Sequence, residues 1–203
     1  MQRCILSIFL LFLSALLLAC GRSTPTTYYL LESSLTPVES IGLPSKSLRV
    51  AQISVPAYLD RSGIVSRVTG ENRLIIAEFH AWAEPLGQGV RRVLQEALAP
   101  PLLLQGFNVL AGNDDDSGDF VLLVDIQRLD GTVKSMAVLE AHWTLQRENG
   151  KLLGRGIHVA REPLPGTDAD QNQDYNILVG AQSRLLQGMA VALAQKLPPL
   201  MKD

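Results

Sequence analysis

The chain has 203 residues, of which 47% are hydrophobic and 19% are charged. This length suits one domain with its own hydrophobic core, and the apolar fraction excludes an intrinsically disordered chain. The formal net charge is −2 and no basic patch stands out, so the sequence gives no support to a nucleic-acid-binding function.

The first segment is an apolar run that ends in a cysteine. Residues 4–19 are apolar or small and follow Arg3, which is the pattern of a secretory signal peptide. The run is shorter than the roughly 20 residues that a transmembrane helix needs. Its end, Leu17-Leu18-Ala19-Cys20-Gly21, resembles the bacterial lipobox, in which the signal is cut before an acylated cysteine. The alternatives are an ordinary signal peptide, or a membrane anchor, with an incidental cysteine.

This N-terminal pattern divides the chain into three parts. Residues 1–19 are predicted to be a lipoprotein signal peptide, residues 20–26 the lipidated cysteine and its tether, and residues 27–203 a single domain. Cys20 is followed by glycine rather than by the aspartate that marks inner-membrane retention, which favours the outer membrane. Cys4 leaves with the signal, so the mature chain has no free thiol for a zinc site or a cysteine nucleophile.

The first half of the domain is predicted to form four strands and then a helix. The strands cover 27–32, 48–55, 64–68 and 74–78, with a hairpin joining the last two. An apolar stripe at helical spacing from Val90 to Leu98 predicts an amphipathic helix that ends at Pro100-Pro101. Gly87-Gln88-Gly89 is interpreted as the entry to this helix rather than as a phosphate-binding loop.

The second half is predicted to form four strands and a second helix. The strands cover 107–110, 120–129, 136–146 and 151–161, and the helix runs from Asp174, its N-cap, to Leu197, before Pro198-Pro199.

Asn149-Gly150 predicts a tight two-residue turn between the last two strands. If Glu148 and Lys151 flank that turn, Trp143 faces Gly156 and Leu145 faces Gly154. Together the elements predict an α+β fold, with a mainly antiparallel sheet and two amphipathic helices packed on one face.

A search for catalytic or metal-binding chemistry finds little. In the predicted hairpin register, His142 faces Ile157 and His158 faces Ala141, so the two rings point to opposite faces and cannot share a metal or a dyad. His80 is likewise given a structural role. The acidic run 114–119 fits an EF-hand loop poorly, because Asp119 falls where glycine is required. Asp125 and Asp130 lack a second carboxylate at a suitable spacing, and no hydrolase or nucleotide-binding motif occurs. We therefore expect no metal, no cofactor and no enzymatic activity.

Several stretches together resemble the ABC-type transport auxiliary lipoprotein family. They span nearly the whole mature chain and are most specific between residues 55 and 94: Tyr28-Tyr29-Leu30-Leu31, Val55-Pro56-Ala57-Tyr58-Leu59-Asp60-Arg61, Ile64-Val65, Trp82-Ala83-Glu84-Pro85-Leu86, Arg91-Arg92-Val93-Leu94 and the strand of Trp143. The loop 111–118 and the C-terminal tail are not diagnostic.

This resemblance implies a function. Members of the family are outer-membrane lipoproteins that serve lipid-trafficking systems built around MCE-domain proteins. For this chain the resemblance implies a non-enzymatic docking subunit at the periplasmic face of the outer membrane, held by acyl chains such as palmitate on Cys20. It also implies a periplasmic MCE-domain partner and a homo-oligomer, with a ring as one form.

Four residues in the family-specific stretches are candidates for the partner interface: Tyr58, Leu59, Arg61 and Trp82. Burial in the core is the open alternative for Tyr58, Leu59 and Trp82. Two other functions stay open: a periplasmic lipid-binding carrier, which needs an apolar cavity for acyl chains, and an envelope hydrolase that uses His142 or Asp125.

Overall fold

The computed structural model describes residues 24–34, 46–51, 53–68, 70–110, 118–166 and 171–202. The predicted signal peptide, Cys20 and most of the acidic run lie outside the described residues. The described elements are β1 (Thr27–Tyr29), β2 (Lys46–Val50), β3 (Gly63–Arg67), β4 (Leu74–Trp82), α1 (Leu86–Leu103), β5 (Phe107–Leu110), β6 (Phe120–Thr132), β7 (Met136–Arg147), β8 (Leu152–Pro163) and α2 (Gln171–Met201).

The strands form two sheets, and both are mixed. The small sheet has the order β1-β4-β3, with β1 parallel and β3 antiparallel to β4. The large sheet has the order β5-β2-β6-β7-β8, with β2 parallel to both of its neighbours and the other pairs antiparallel. The α+β class is confirmed, but two mixed sheets replace the one mainly antiparallel sheet of the prediction. Periodicity along a strand reveals the strand and not its partner.

The helices pack against each other and bury the core. α1 contacts β5 and β2, while α2 contacts β6, β7, β8 and β1. The predicted apolar stripe of α1 is buried, and so are the inward-facing apolar residues of α2 and of the large sheet. The buried residues include Val90, Leu94 and Leu98 on α1, Leu122 and Leu145 on the large sheet, and Leu178 and Leu186 on α2.

α2 is long and apolar enough to cross a membrane by length and composition alone. However, 61% of its most apolar window is buried inside the protein, which is what the core helix of a folded domain shows. Here it packs on the sheet.

The hairpin β7–β8 has the predicted register along most of its length. Trp143 pairs with Gly156, Leu145 with Gly154 and His142 with Ile157. At the turn the prediction is wrong, because the register shifts after Leu145 and the backbone of Arg147 pairs with Lys151. Gly150 alone in this loop has a positive φ, of 81°, so the loop is a three-residue turn with a bulge rather than a type I′ turn.

Both helices continue past the prolines that were predicted to end them. Pro100-Pro101 lie inside α1 and Pro198-Pro199 lie inside α2. In each case the last turn carries a fully buried residue, Leu102 in α1 and Met201 in α2, so packing holds a turn that has lost backbone hydrogen bonds. The Lys46 ammonium donates to the carbonyl oxygen of Met201 at 2.9 Å and satisfies part of the α2 terminus.

The start of α2 also differs from the prediction. The helix begins at Gln171, so Asp174 lies in its first turn and is not the N-cap. A carboxylate in the first turn still interacts favourably with the helix dipole, and the Asp174 carboxylate pairs with the Lys134 ammonium at 3.4 Å.

Candidate functional site

The family-specific segment Val55–Arg61 is a compact turn between β2 and β3. The amides of Leu59 and Asp60 donate to the carbonyl of Pro56 at 2.8 and 3.2 Å, and the amide of Arg61 donates to that of Leu59 at 2.8 Å. The Leu59 side chain is buried in the core. Anchored by Leu59, the turn holds Tyr58 against the body of the protein and carries the exposed Arg61.

The Tyr58 side chain extends from this turn and contacts Asp130, a completely buried aspartate on β6. The Tyr58 hydroxyl donates to Asp130 Oδ2 at 2.8 Å. The Arg67 Nε donates to both carboxylate oxygens, at 2.9 and 3.0 Å, and the Arg128 Nη2 donates to Oδ1 at 2.9 Å. The Arg67 guanidinium also lies 5.7 Å from the centre of the Tyr58 ring. We call these four residues the Asp130 cluster.

The Asp130 cluster connects separate parts of the fold. Arg67 lies at the end of β3 in the small sheet, Asp130 and Arg128 lie on β6 of the large sheet, and Tyr58 comes from the turn between β2 and β3. No other polar group with such complete burial joins the two sheets in the described part of the chain. The cluster therefore fixes how the small sheet sits on the large one.

Electrostatics keep the Asp130 cluster in one protonation state. Burial by itself would raise the pKa of Asp130, but the hydrogen bonds from Arg67, Arg128 and Tyr58 outweigh it and lower the pKa below its ordinary value of 3.8. Burial and the Asp130 carboxylate raise the pKa of Tyr58 to about 12. At neutral pH the carboxylate is therefore ionised and the phenol is protonated. Since both carboxylate oxygens already accept strong hydrogen bonds, the arrangement suits a structural clamp better than an acid or base.

The second family-specific segment, Trp82–Leu86, forms the corner between β4 and α1. The Trp82 ring is buried, and its amide donates to the carbonyl of Ser62 at 2.7 Å. The Glu84 carboxylate accepts from the Arg92 guanidinium at 2.6 Å, and the same guanidinium donates to the carbonyl of Leu31 at 2.8 Å. This segment thus ties the chain that follows β1 to the first helix.

The four candidate interface residues have different surroundings. Leu59 and Trp82 are buried in the core, which favours the core alternative for both. Tyr58 is half-buried, with its hydroxyl occupied by Asp130. Arg61 is exposed, and its guanidinium donates to the carbonyl of Ala57 in its own turn, at 3.3 Å. Of the four, Arg61 offers the most side-chain surface to a partner.

The histidines have three different surroundings, and His142 and His158 have the predicted pairing partners, Ile157 and Ala141. His80 is buried, stacks on Tyr175 with ring centres 4.3 Å apart and lies 3.0 Å from the Tyr29 hydroxyl. His142 is exposed on β7, while His158 faces α2, where burial and then the nearby Lys196 lower its pKa. Across the described ranges, no group of three or more His, Cys, Asp or Glu residues is arranged to hold a metal ion.

Sequence reasoning missed the Asp130 cluster. In the sequence, Asp130 stands only as a carboxylate without a second acid at a catalytic spacing. The available signal was the position of Asp130 within the buried strand 120–132, where an aspartate needs cationic partners. Its partners Tyr58 and Arg67 lie 72 and 63 residues away in the chain, so no local pattern identifies them.

Comparison with known proteins agrees with this architecture. The family model described as "ABC-type transport auxiliary lipoprotein component" matches residues 28–194. The intermembrane transport lipoproteins PqiC of Escherichia coli (strain K12) and Shigella flexneri are each 27% identical over 157 residues, which is 77% of this chain and 77% of each relative.

Solved structures show the same fold. A crystal structure of an uncharacterized protein aligns with a TM-score of 0.67 and 23% identity, covering 86% of this chain and 99% of the other. A Xanthomonas campestris protein aligns with a TM-score of 0.62 and 16% identity, covering 86% and 96%. Since the family model covers the two segments described above and most of the domain, this chain belongs to the ABC-type transport auxiliary lipoprotein component family.

Proposed function

We propose that this chain is a non-enzymatic accessory lipoprotein of an MCE-type intermembrane lipid transport system, anchored in the outer membrane through acyl chains on Cys20. The observation that carries the proposal is the position of the family match. It begins at Tyr28, eight residues after a cysteine that ends a signal-like apolar run. The relatives named intermembrane transport lipoproteins support the transport role.

The chemistry of the domain supports docking rather than catalysis. The one fully buried carboxylate among the described residues, that of Asp130, has both oxygens occupied by arginine and tyrosine donors. A surface depression of about 420 Å³ is lined by polar and charged residues that include Ser47, Asp119 and Arg147. Such walls suit acyl chains poorly, so this depression does not favour the lipid-carrier alternative.

Replacing Cys20 by alanine tests the anchor. Two or more acyl chains hold a protein to a bilayer almost permanently, at about 0.8 kcal/mol for each buried CH₂. We expect the Cys20→Ala variant to leave the outer-membrane fraction and to lose transport function while its domain stays folded. Membrane fractionation with detection of the mature chain measures the first effect.

The matched control is Cys4→Ala, because Cys4 lies in the predicted signal peptide and is absent from the mature chain. That variant should fractionate like the unmodified protein. A Cys20→Ala protein that stays fully in the outer-membrane fraction would overturn the lipid anchor and with it the proposed location.

The proposal places the partner surface at the turn that presents Arg61. Leu59 and the Asp130 cluster anchor this turn to the core, so the Arg61 guanidinium is attached to a rigid segment. We expect Arg61→Glu to weaken capture of the MCE-domain partner from cross-linked envelopes without lowering the folded fraction. Pull-down of the partner and circular dichroism of the variant measure these two effects.

The control for this charge reversal is Arg155→Glu, since Arg155 is also exposed but lies on β8 of the large sheet. Equal loss of capture in both variants would contradict a role for the 55–61 turn, and failure of the unmodified protein to capture any MCE-domain protein would contradict the proposed function. The proposed homo-oligomer is tested on the same samples by light scattering.

A further inference from the structure

The outer face of the small sheet carries two exposed aromatic side chains. Tyr28 is 66% exposed and Phe79 is 37% exposed, whereas the other large aromatic side chains of the described residues are buried or half-buried. Tyr28 pairs with Ala81 across the β1–β4 ladder, and Phe79 precedes Ala81 by two residues. Side chains two apart on a strand share a face, so both rings lie on the same outer face.

This exposure belongs to a well-held strand rather than to a loose end. Exposed and buried residues alternate from Tyr28 to Glu32, with Tyr29 and Leu31 in the core and Leu30 on the outside. The Tyr29 hydroxyl lies 3.0 Å from His80 Nδ1 and donates to the carbonyl of Asn172 at 3.2 Å. The structure therefore presents Tyr28, Leu30 and Phe79 in a fixed arrangement, which we call the aromatic patch.

The aromatic patch lies close in sequence to Cys20, the predicted lipid anchor. Tyr28 follows Cys20 by eight residues, and an extended segment of that length spans at most about 29 Å. As a flexible coil the same segment has an end-to-end distance of only about 15 Å. With acyl chains on Cys20, Tyr28 must therefore stay within about 29 Å of the bilayer surface. This step rests on the proposed function.

The chemistry of the aromatic patch suits that surface. Residues 24–31 carry no charged side chain, so moving them into the headgroup region requires no ion to be desolvated. Tyrosine has an apolar ring with a polar end and is enriched where water meets hydrocarbon. We propose that Tyr28, Leu30 and Phe79 form a membrane-contact surface that lies in the headgroup region of the bilayer holding the lipid anchor.

A second exposed apolar surface lacks these features. On β8, Ile157 and Val159 are exposed, but the exposed Arg155 and Arg161 flank them on the same face, and they lie far along the chain from Cys20. Ile157 therefore provides a matched control, because it is 62% exposed and lies on the other sheet.

The test uses the full-length lipidated protein in vesicles of phosphatidylcholine and phosphatidylglycerol, with and without a brominated phosphatidylcholine that quenches tryptophan at short range. The variants are Tyr28→Trp and Ile157→Trp, both at exposed positions that accept a larger ring. The native Trp82 and Trp143 are buried and supply a constant background. We expect the emission added by Tyr28→Trp to shift to the blue and to lose most of its intensity with brominated lipid, and that added by Ile157→Trp to change little.

Each result decides between the proposals. A chain that is not acylated and does not associate with vesicles overturns both the proposed anchor and the membrane contact. Acylated, vesicle-bound protein whose Tyr28→Trp emission is not quenched overturns the membrane contact alone. Emission that instead changes with protein concentration in detergent, without quenching in vesicles, also overturns it and assigns the patch to a second copy of the chain.

Discussion

Replacing Asp130 by asparagine is expected to lower the free energy of unfolding by about 3–5 kcal/mol, which is the cost of removing one partner from a buried ion pair. The Asp130 side chain is completely buried and accepts from Tyr58, Arg67 and Arg128. An asparagine amide presents two N–H donors, and these would face the donors of the arginines. Urea denaturation followed by circular dichroism measures the loss.

The matched control is Asp125→Asn on the same strand. Asp125 is exposed, and its carboxylate accepts from the Gln127 side chain at 2.7 Å. Exposed contacts of this kind contribute little to stability, so the control should stay within about 0.5 kcal/mol of the unmodified protein. Equal destabilisation by the two substitutions would contradict the clamp assigned to Asp130.

Acid titration separates charge from packing in the same variant. The folded protein lowers the pKa of Asp130 below 3.8, so the carboxylate stabilises the fold above pH 3.8, and this contribution is lost as the pH falls through the lowered pKa. Asparagine has no such titration. The difference in unfolding free energy between the unmodified protein and Asp130→Asn should therefore shrink in acid. A difference that stays constant down to the acid transition would show that packing, rather than ionisation, sets the effect.

Local rules in the sequence predicted those parts of the fold that depend on neighbours in the chain. The apolar stripe from Val90 to Leu98 identified α1, and the turn assumed at Asn149-Gly150 led to the register that places Trp143 opposite Gly156. The turn itself was wrong by one residue because Asn149 keeps a negative φ, which a type I′ turn does not allow. The two helix ends were wrong because tertiary packing of Leu102 and Met201 outweighs the effect of the prolines.

Features that depend on contacts between distant parts of the chain could not be predicted from the sequence alone. The parallel pairing of β2 with β5 and β6, and the separation of the small sheet, need contacts across long intervals. The same holds for the candidate site. A motif such as Val55–Arg61 marks a segment, but only the fold reveals that Leu59 enters the core while Arg61 faces solvent.

The register of β7 and β8 also supplies the second large prediction, at Gly156. A Cβ added there would lie 2.8–2.9 Å from three atoms of the Trp143 indole, closer than carbon atoms tolerate. The indole is buried against the sheet and has little room to move. We expect Gly156→Ala to lower the free energy of unfolding by about 1–3 kcal/mol, as overpacking of a core does, in urea denaturation monitored by tryptophan fluorescence.

Two comparisons identify the clash as the cause. Gly166→Ala is the control for the loss of a glycine as such, because its nearest contact to an added Cβ, the carbonyl oxygen of Lys134, lies at an ordinary 3.8 Å. In a Trp143→Phe background, the indole atoms that meet the new methyl group are gone, so Gly156→Ala should cost clearly less than it does in the native background. If the cost is the same in both backgrounds, the destabilisation comes from the backbone of β8 and not from the indole that the glycine admits.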